Sequence, residues 1–167
     1  PRYEDISDKE YVLVASKSPR HPTTEAFRGL RTNLQYLLNK DGQNTILISS
    51  MHPGEGKTFT ATNMAALMAQ SGKKTLLIDF DLHKPRVHKA LGVPRGTGLS
   101  GYLIGQVPWT MAVQPTEIPG LDVITSGPVP PNASELVHND RTDGLIAEAR
   151  KAYDFVVIDT PPILIIT

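Results

Sequence analysis

Hydrophobic residues along this chain fall into two kinds of pattern, short continuous runs and stretches with helical spacing. The runs are apolar almost throughout, which is typical of buried strands. They cover residues 45–50, 74–79, 121–125 and 153–159. Because such strands bury both faces, we expect a mostly parallel sheet with helices packed on each side. The pattern therefore predicts an α/β fold of three layers, helix, sheet and helix.

Stretches with helical spacing separate the predicted strands. In residues 24–40, apolar side chains recur three and four residues apart, which predicts an amphipathic helix. These side chains are Phe27, Leu30, Leu34 and Leu37. A second helix is expected over residues 57–71, where Gly72 ends it. Asn132 and Glu135 are spaced like a helix-capping pair, ahead of an interrupted helical stretch that reaches residue 152.

The first part of the chain differs from the rest. Residues 1–22 are polar and contain three prolines, and only residues 11–15 resemble a strand. We interpret this part as an arm or linker, followed by one folded domain over residues 23–167. The chain opens with Pro1 rather than Met and stops inside an apolar run, so we expect a segment of a longer polypeptide, with the domain incomplete at its C-terminal end.

Composition excludes several classes of protein. Seventeen Lys and Arg balance 17 Asp and Glu, so there is no general basic field, and we expect no nucleic-acid partner. The absence of cysteine excludes a disulfide framework, a cysteine-based zinc site and thiol catalysis. The five histidines are scattered without metal-ligand spacing. No apolar run approaches the ~18–20 residues that cross a bilayer.

A glycine-containing loop at residues 51–58 lies between the first predicted strand and the helix after it. Its two glycines let the backbone turn tightly and bring N–H groups near an anion, while Lys57 can reach terminal phosphates and the Thr58 hydroxyl can ligate magnesium. The helix N-terminus adds the positive end of its dipole. Met51 departs from the strict pattern, which has glycine there. We predict that nucleotide phosphates bind to Pro53, Gly54, Glu55, Gly56, Lys57, Thr58 and Phe59.

Three carboxylates follow the ends of predicted strands. Asp79 and Asp81 come where the second strand meets its loop, and Asp159 ends the last strand. Ligands of parallel α/β sheets bind outside the carboxyl ends of the strands, so we expect these acids to converge on the phosphates and the metal. The alternative is that Asp79 and Asp159 only end strands or bind loop amides.

With the loop and the acids in this order, residues 25–162 resemble the bacterial tyrosine kinases of capsule and exopolysaccharide synthesis, relatives of the MinD/ParA ATPases. Residues 51–58 look like their Walker A motif, residues 76–85 like their additional Walker A′, and residues 156–162 like their Walker B. The proline-rich loop at 127–132 also matches a family segment. Three motifs in order are much more specific than any one of them.

The resemblance has departures. His83 stands where the family commonly has Arg, and Ala133 where Pro is usual. The MinD/ParA group carries a signature lysine early in its loop, and this chain has His52 there. That difference favours the kinase branch.

The resemblance implies a P-loop fold and an ATP-dependent protein-tyrosine (auto)kinase that uses Mg²⁺ and regulates polysaccharide polymerisation and export. Phosphoryl transfer depends mainly on positioning and on neutralisation of charge. Thr58, Asp81 and Asp159 are then the candidate ligands of Mg²⁺. Asp79 is the candidate to orient or deprotonate the tyrosine hydroxyl, although Asp79 and Asp81 could exchange roles. The predicted catalytic set is Lys57, Asp79, Asp81 and Asp159.

The resemblance also implies a setting and partners. The setting is the cytoplasmic side of the bacterial inner membrane, with a transmembrane chain-length regulator fused upstream or supplied separately. Glu25, Arg28 and Arg31 resemble the family's E-x-x-R-x-x-R element of ring-like self-association, whereas their spacing alone also fits a solvated helix face. The family's tyrosine-rich tail would lie beyond Thr167. Tyr153, just before a strand, is expected to be a packing residue.

Two rival functions remain open from the sequence. One is a MinD/ParA-like ATPase that uses water as acceptor and whose nucleotide cycle drives oligomerisation or partner binding. The other is a nucleotide-dependent scaffold without turnover, which the departures at Met51 and His83 would favour.

Overall fold

The computed structural model describes residue 13, residues 22–38 and residues 43–165. Within them a five-stranded sheet has the order β1-β5-β2-β4-β3. The first four strands in that order are parallel, and β3 pairs antiparallel with β4 at the edge. The strands are β1 (Thr45–Ile48), β2 (Thr75–Asp79), β3 (Val113–Pro115), β4 (Leu121–Ile124) and β5 (Phe155–Asp159).

Helices connect these strands. The longest are α1 (Pro22–Leu38), α2 (Lys57–Gln70) and α7 (Asp140–Ala152). Four short helices are α3 (Val87–Leu91), α4 (Gly98–Leu103), α5 (Trp109–Ala112) and α6 (Ala133–Val137), and a 3₁₀ turn covers Ile163–Ile165. None of the helices in the described ranges is long and apolar enough to cross a membrane.

Two hydrophobic clusters lie on opposite faces of the sheet. Side chains alternate between the faces of a strand, and Leu77 of β2 accordingly packs with α2 while Leu76 and Ile78 pack with α7. Every residue of β2 and β5 is buried. The predicted three-layer, mostly parallel α/β fold is confirmed.

Some local predictions were wrong. Asn132 precedes α6 without a capping hydrogen bond from its side chain, whereas Asn139 caps α7 by accepting from the N–H groups of Arg141 and Thr142 at 2.9 and 3.2 Å. The chain breaks between the two helices, so α7 needs a cap of its own at Asn139. The antiparallel β3 was not predicted, because its three residues, Val-Gln-Pro, carry no apolar run.

The apolar stripe of α1 is narrower than its spacing suggests. Phe27 is buried and Leu34 packs against the core, but Leu30 and Leu37 are 42% and 62% exposed. The helix thus contacts α2 along a narrow seam. Of the predicted strand at 11–15 only the buried Leu13 is described, and the rest of residues 1–21 lies outside the described residues. The arm and the domain boundary therefore stay predictions.

Candidate active site at the carboxyl edge of the sheet

The loop between β1 and α2 has the backbone that an anion site requires. Gly54 and Gly56 have φ of 85° and 87°, in the left-handed region that glycine adopts without strain. Gly56 precedes α2 without any side-chain cap, and the helical hydrogen bonds begin with the Thr60 N–H donating to the Gly56 carbonyl at 2.8 Å. The first N–H groups of a helix have no intrahelical acceptor. Those of Lys57, Thr58 and Phe59 are therefore the ones available to a ligand.

Glu55 does not line the cavity but contacts the first two residues of the loop. Its Oε2 accepts the Met51 N–H at 3.0 Å, and its Oε1 lies 3.4 Å from His52 Nδ1. Hydrogen bonding by the backbone N–H groups of His52 and Met51 holds the pKa of this exposed carboxyl below its ordinary value. Met51 itself is not in the left-handed region and points outward, 57% exposed. A methionine is therefore tolerated where the strict pattern has glycine.

A cavity of about 280 Å³ opens between this loop and the loop after β2. Six of the seven predicted phosphate-binding residues line it, and Glu55 is the exception. Asp81 is the carboxylate in its wall. The complete lining is Pro53, Gly54, Gly56, Lys57, Thr58, Phe59, Asp81, His83, Lys84, Arg86, Pro161 and Pro162.

The strand register brings the three predicted acids together. Asp79 of β2 and Asp159 of β5 are direct neighbours across the parallel pair. The Thr58 hydroxyl donates to Asp159 Oδ2 at 2.7 Å, across 101 residues of sequence. Asp79 Oδ1 accepts the Asp81 N–H at 3.1 Å, so the two acids of the β2 loop are in contact. The loop at residues 51–58, called the phosphate loop below, and all three carboxylates thus lie together in one cluster.

Asp81 shapes the loop that carries it. Its Oδ1 accepts the N–H groups of His83 and Lys84 at 3.2 and 2.9 Å. Lys84, at the end of this turn, lines the cavity together with Lys57. Binding of loop amides, which was the alternative role for Asp79 and Asp159, is therefore part of what Asp79 does, and Asp81 does the same.

Hydrogen bonding to loop amides does not account for the whole cluster. Asp79 Oδ2 and Asp159 Oδ1 are buried and have no hydrogen-bond partner in the described part of the chain. Burial, reinforced by the negative charge of Asp159, raises the pKa of Asp79 well above its ordinary value. Burial also raises the pKa of Asp159 to about 6, against the opposing effects of the Thr58 hydrogen bond and the Lys57 charge. Two desolvated carboxylates side by side favour a cation between or beside them.

The available donors fit magnesium. The Thr58 hydroxyl and the carboxylates of Asp81 and Asp159 supply oxygen only, as this hard cation prefers. Over residues 22–38 and 43–165 no three His, Asp or Glu side chains are grouped as a complete metal cage. Mg²⁺ is usually held by one or two carboxylates, with phosphate oxygens and waters completing its octahedron. The donor set thus suits a metal that arrives with a phosphate group.

Comparison with known proteins places this geometry in a family. A family model for the AAA domain matches residues 43–167. The tyrosine-protein kinase YwqD of Bacillus subtilis is 43% identical over 91% of this chain and 64% of its own length. CapB of Staphylococcus aureus is 36% identical over 93% of this chain and 68% of its own length. The chain belongs to the bacterial tyrosine-protein kinases.

Solved structures agree with this tyrosine-kinase membership. The kinase domain of the Escherichia coli tyrosine kinase ETK is 38% identical with a TM-score of 0.88, over 98% of this chain and 64% of that one. MinD of Pyrococcus horikoshii, complexed with Mg-ADP, is 26% identical with a TM-score of 0.62, over 70% of this chain and 48% of that one. The predicted P-loop fold is confirmed. The chain spans only 21% of a relative from Klebsiella pneumoniae and 64% of YwqD.

The charged triplet of this bacterial tyrosine-kinase chain lies on α1, apart from the cavity. Arg28 donates to Glu25 in an exposed ion pair. Arg31 is half-buried, and its Nε has no partner among the described residues. The self-association role of the triplet stays a prediction.

Most residues that line the cavity were singled out from the sequence, but some were not. Lys84 and Arg86 line the cavity, whereas Lys89 does not. His83 also lines it, as do the prolines after β5. Their position shortly after the strand-end acids was the signal available in the sequence.

Proposed function

We propose that this chain binds Mg·ATP and transfers the γ-phosphoryl group to protein tyrosine, in the control of surface polysaccharide assembly. The observation that carries the proposal is the Thr58–Asp159 hydrogen bond, which joins the phosphate loop to the acidic strand ends around one cavity. Membership of the tyrosine-kinase family supports the acceptor. The Mg-ADP complex of the related MinD supports the nucleotide and the metal.

The residues around the cavity have different roles in phosphoryl transfer. The N–H groups of the loop and the Lys57 ammonium hold the β- and γ-phosphates. Thr58, Asp81 and Asp159 would hold Mg²⁺, which would neutralise charge that develops on the phosphates. Lys57 and the helix N-terminus fix the direction of the transferred group.

Two carboxylates compete for the role of base toward the tyrosine hydroxyl. Asp81 lines the cavity, so it can reach an acceptor there. Asp79 is fully buried, but its raised pKa makes it the better proton acceptor once ionised. Asp→Asn variants at the two positions separate the roles. The base variant loses turnover with little change in nucleotide affinity, and the metal-ligand variant loses both.

A radiolabel assay on the complete polypeptide tests the proposal. With γ-labelled ATP, the wild type should place label on its own tyrosine, and Lys57→Met should abolish the label. Lys89→Met, at an exposed lysine of α3 outside the cavity wall, is the matched control and should keep it. Undiminished phosphotyrosine in Lys57→Met would refute the assignment of the loop.

The likeness to MinD supports a second candidate, a nucleotide-driven switch with water as acceptor. The same assay separates the two functions. Free labelled phosphate without labelled protein would support the switch, and label on tyrosine would support the kinase.

Assembly and setting are part of the proposal. We place the chain on the cytoplasmic side of the inner membrane, with a transmembrane chain-length regulator as partner or as part of the same polypeptide. Ring-like self-association would use Glu25, Arg28 and Arg31, which α1 presents outside the active-site cavity. Replacing all three by Ala should lower the oligomer mass measured by light scattering, and an unchanged mass would refute the interface.

A further inference from the structure

Helix α1 lies along α2 with its start next to the phosphate loop. The Phe27 ring of α1 packs on the Phe59 ring of α2, with centroids 5.7 Å apart and planes inclined by 56°. Two turns further, Gln35 Nε2 lies 3.5 Å from Ser71 Oγ and 3.8 Å from Met68 Sδ. The two helices therefore run in the same direction. The beginning of α1 is the part closest to the nucleotide cavity.

Phe59 is the link between this contact and the site. It is the third residue of α2, directly after Lys57 and Thr58, and it lines the cavity with them. Its N–H belongs to the first helical turn, whose free donors are aimed by the orientation of that turn. Its ring packs against the hydrophobic cluster and the Phe27 ring. A contact that fixes the Phe59 ring therefore also fixes the N–H donors in the first turn of α2.

Phe27 is well placed to fix the Phe59 ring. Its side chain is buried, 8% exposed, within the same cluster as the body of α2. It lies between Glu25 and Arg28, whose side chains are exposed. One helix thus carries an apolar contact to the phosphate loop and a charged outer face.

We propose that Phe27 is a positioning residue for nucleotide binding, which acts through Phe59 to fix the first turn of α2. This inference rests on the proposed function, because it concerns affinity for the same nucleotide. Any contact that displaces the beginning of α1 should change nucleotide affinity without touching the nucleotide.

Calorimetric titration of the complete polypeptide with Mg·ATP tests this inference. Phe27→Ala should weaken binding measurably and by at most about tenfold, the limit reached if the full energy of one aromatic pair serves to orient the first turn of α2. Phe27→Leu, which keeps apolar volume, should recover part of the loss. Leu34→Ala is the matched control, since Leu34 packs from α1 against the same cluster two turns away from the loop. It should reduce thermal stability with little change in affinity.

A double-mutant cycle shows whether Phe27 acts through Phe59. If it does, Phe27→Ala should add little to the loss of affinity in Phe59→Leu, because the aromatic pair is already lost in that variant. Additive losses would overturn the inference, as would equal losses in Phe27→Ala and Leu34→Ala. Should Phe27→Ala fail to fold, Phe27→Leu with and without Phe59→Leu gives the same cycle. Wild-type binding with unchanged affinity in the Phe27 variants would overturn this inference alone, whereas no wild-type binding would overturn the proposed function as well.

Discussion

Replacing Asp159 by Asn should stabilise the ligand-free protein while removing a proposed ligand of magnesium. Asp159 is 1% exposed, and one of its oxygens has no partner within the described residues. The folded chain must keep this carboxylate ionised at neutral pH although burial opposes the charge. The rise of its pKa from 3.8 to about 6 corresponds to about 3 kcal/mol of lost stability at neutral pH.

The variant should recover only part of that energy. Asn keeps an oxygen that can accept the Thr58 hydroxyl, which now donates to Asp159 at 2.7 Å. Its amide brings new donors into a buried position, and an unsatisfied buried donor costs about 1–3 kcal/mol. We therefore expect Asp159→Asn to raise the free energy of unfolding by about 1 kcal/mol at pH 8.

The pH dependence of this stability difference shows whether the buried charge of Asp159 is its cause. A carboxyl whose pKa is raised on folding destabilises the protein fully above that pKa and not at all below its ordinary value. The advantage of Asp159→Asn should accordingly be complete above pH 6 and shrink as the pH falls toward 4. Urea unfolding of both proteins at several pH values, in magnesium-free buffer, measures this difference. Titrating groups away from Asp159 are shared by both proteins and cancel to a first approximation. Asp79 does not cancel, because the negative charge of Asp159 helps to raise the pKa of Asp79, and removing that charge adds to the stabilisation at high pH.

An exposed carboxylate provides the control. Asp143→Asn makes the same chemical change in the first turn of α7 and should lower stability by about 0.3–1 kcal/mol through the helix dipole. A variant at Asp159 that is less stable than wild type at pH 8 would refute the reasoning. A stability difference that does not depend on pH would refute the electrostatic cause.

Three further predictions concern the loop, the cavity wall and the acceptor. Gly56→Ala should lower stability by about 1–2 kcal/mol, because φ is 87° there, and should also weaken Mg·ATP binding in calorimetry; unchanged values would exclude the strained turn. Lys84→Met should weaken binding of Mg·ATP about three- to fivefold and of Mg·ADP less, if the cavity wall meets the terminal phosphate; an equal effect of Lys89→Met would argue against it. Tyr153→Phe removes a 2.8 Å hydrogen bond to Asp122 and should cost about 1 kcal/mol in urea unfolding, whereas the phosphotyrosine label measured by mass spectrometry should not change.

The sheet and the phosphate loop were predictable because their physics is local. Buried strands show as unbroken apolar runs, and the turn at Gly54 and Gly56 shows as glycine ahead of a lysine and a helix. The local pattern was misleading where tertiary packing decides which side chains are buried. The spacing of Leu30 and Leu37 is right for a buried stripe, yet α2 covers only the seam through Phe27 and Leu34.

The meeting of the strand-end acids at one edge of the sheet was predictable from the sequence, whereas the burial of each acid was not. Chain order and the rule for parallel sheets placed Asp79, Asp81 and Asp159 at one edge, and the structure agrees. No sequence pattern states that Asp81 lines the cavity while Asp79 is fully buried, because this depends on how the loop after β2 folds back. The contact of Phe27 with Phe59 was equally invisible, since it joins two helices through rings 32 residues apart in sequence.

The central claim is that the loop between β1 and α2 holds the phosphates of Mg·ATP. Calorimetric titration of the complete polypeptide with ATP, in the presence and absence of magnesium, tests it most directly. We expect one saturable site in the wild type, tighter with magnesium and lost in Lys57→Met. No binding heat in the wild type, or the same affinity in Lys57→Met, would contradict it.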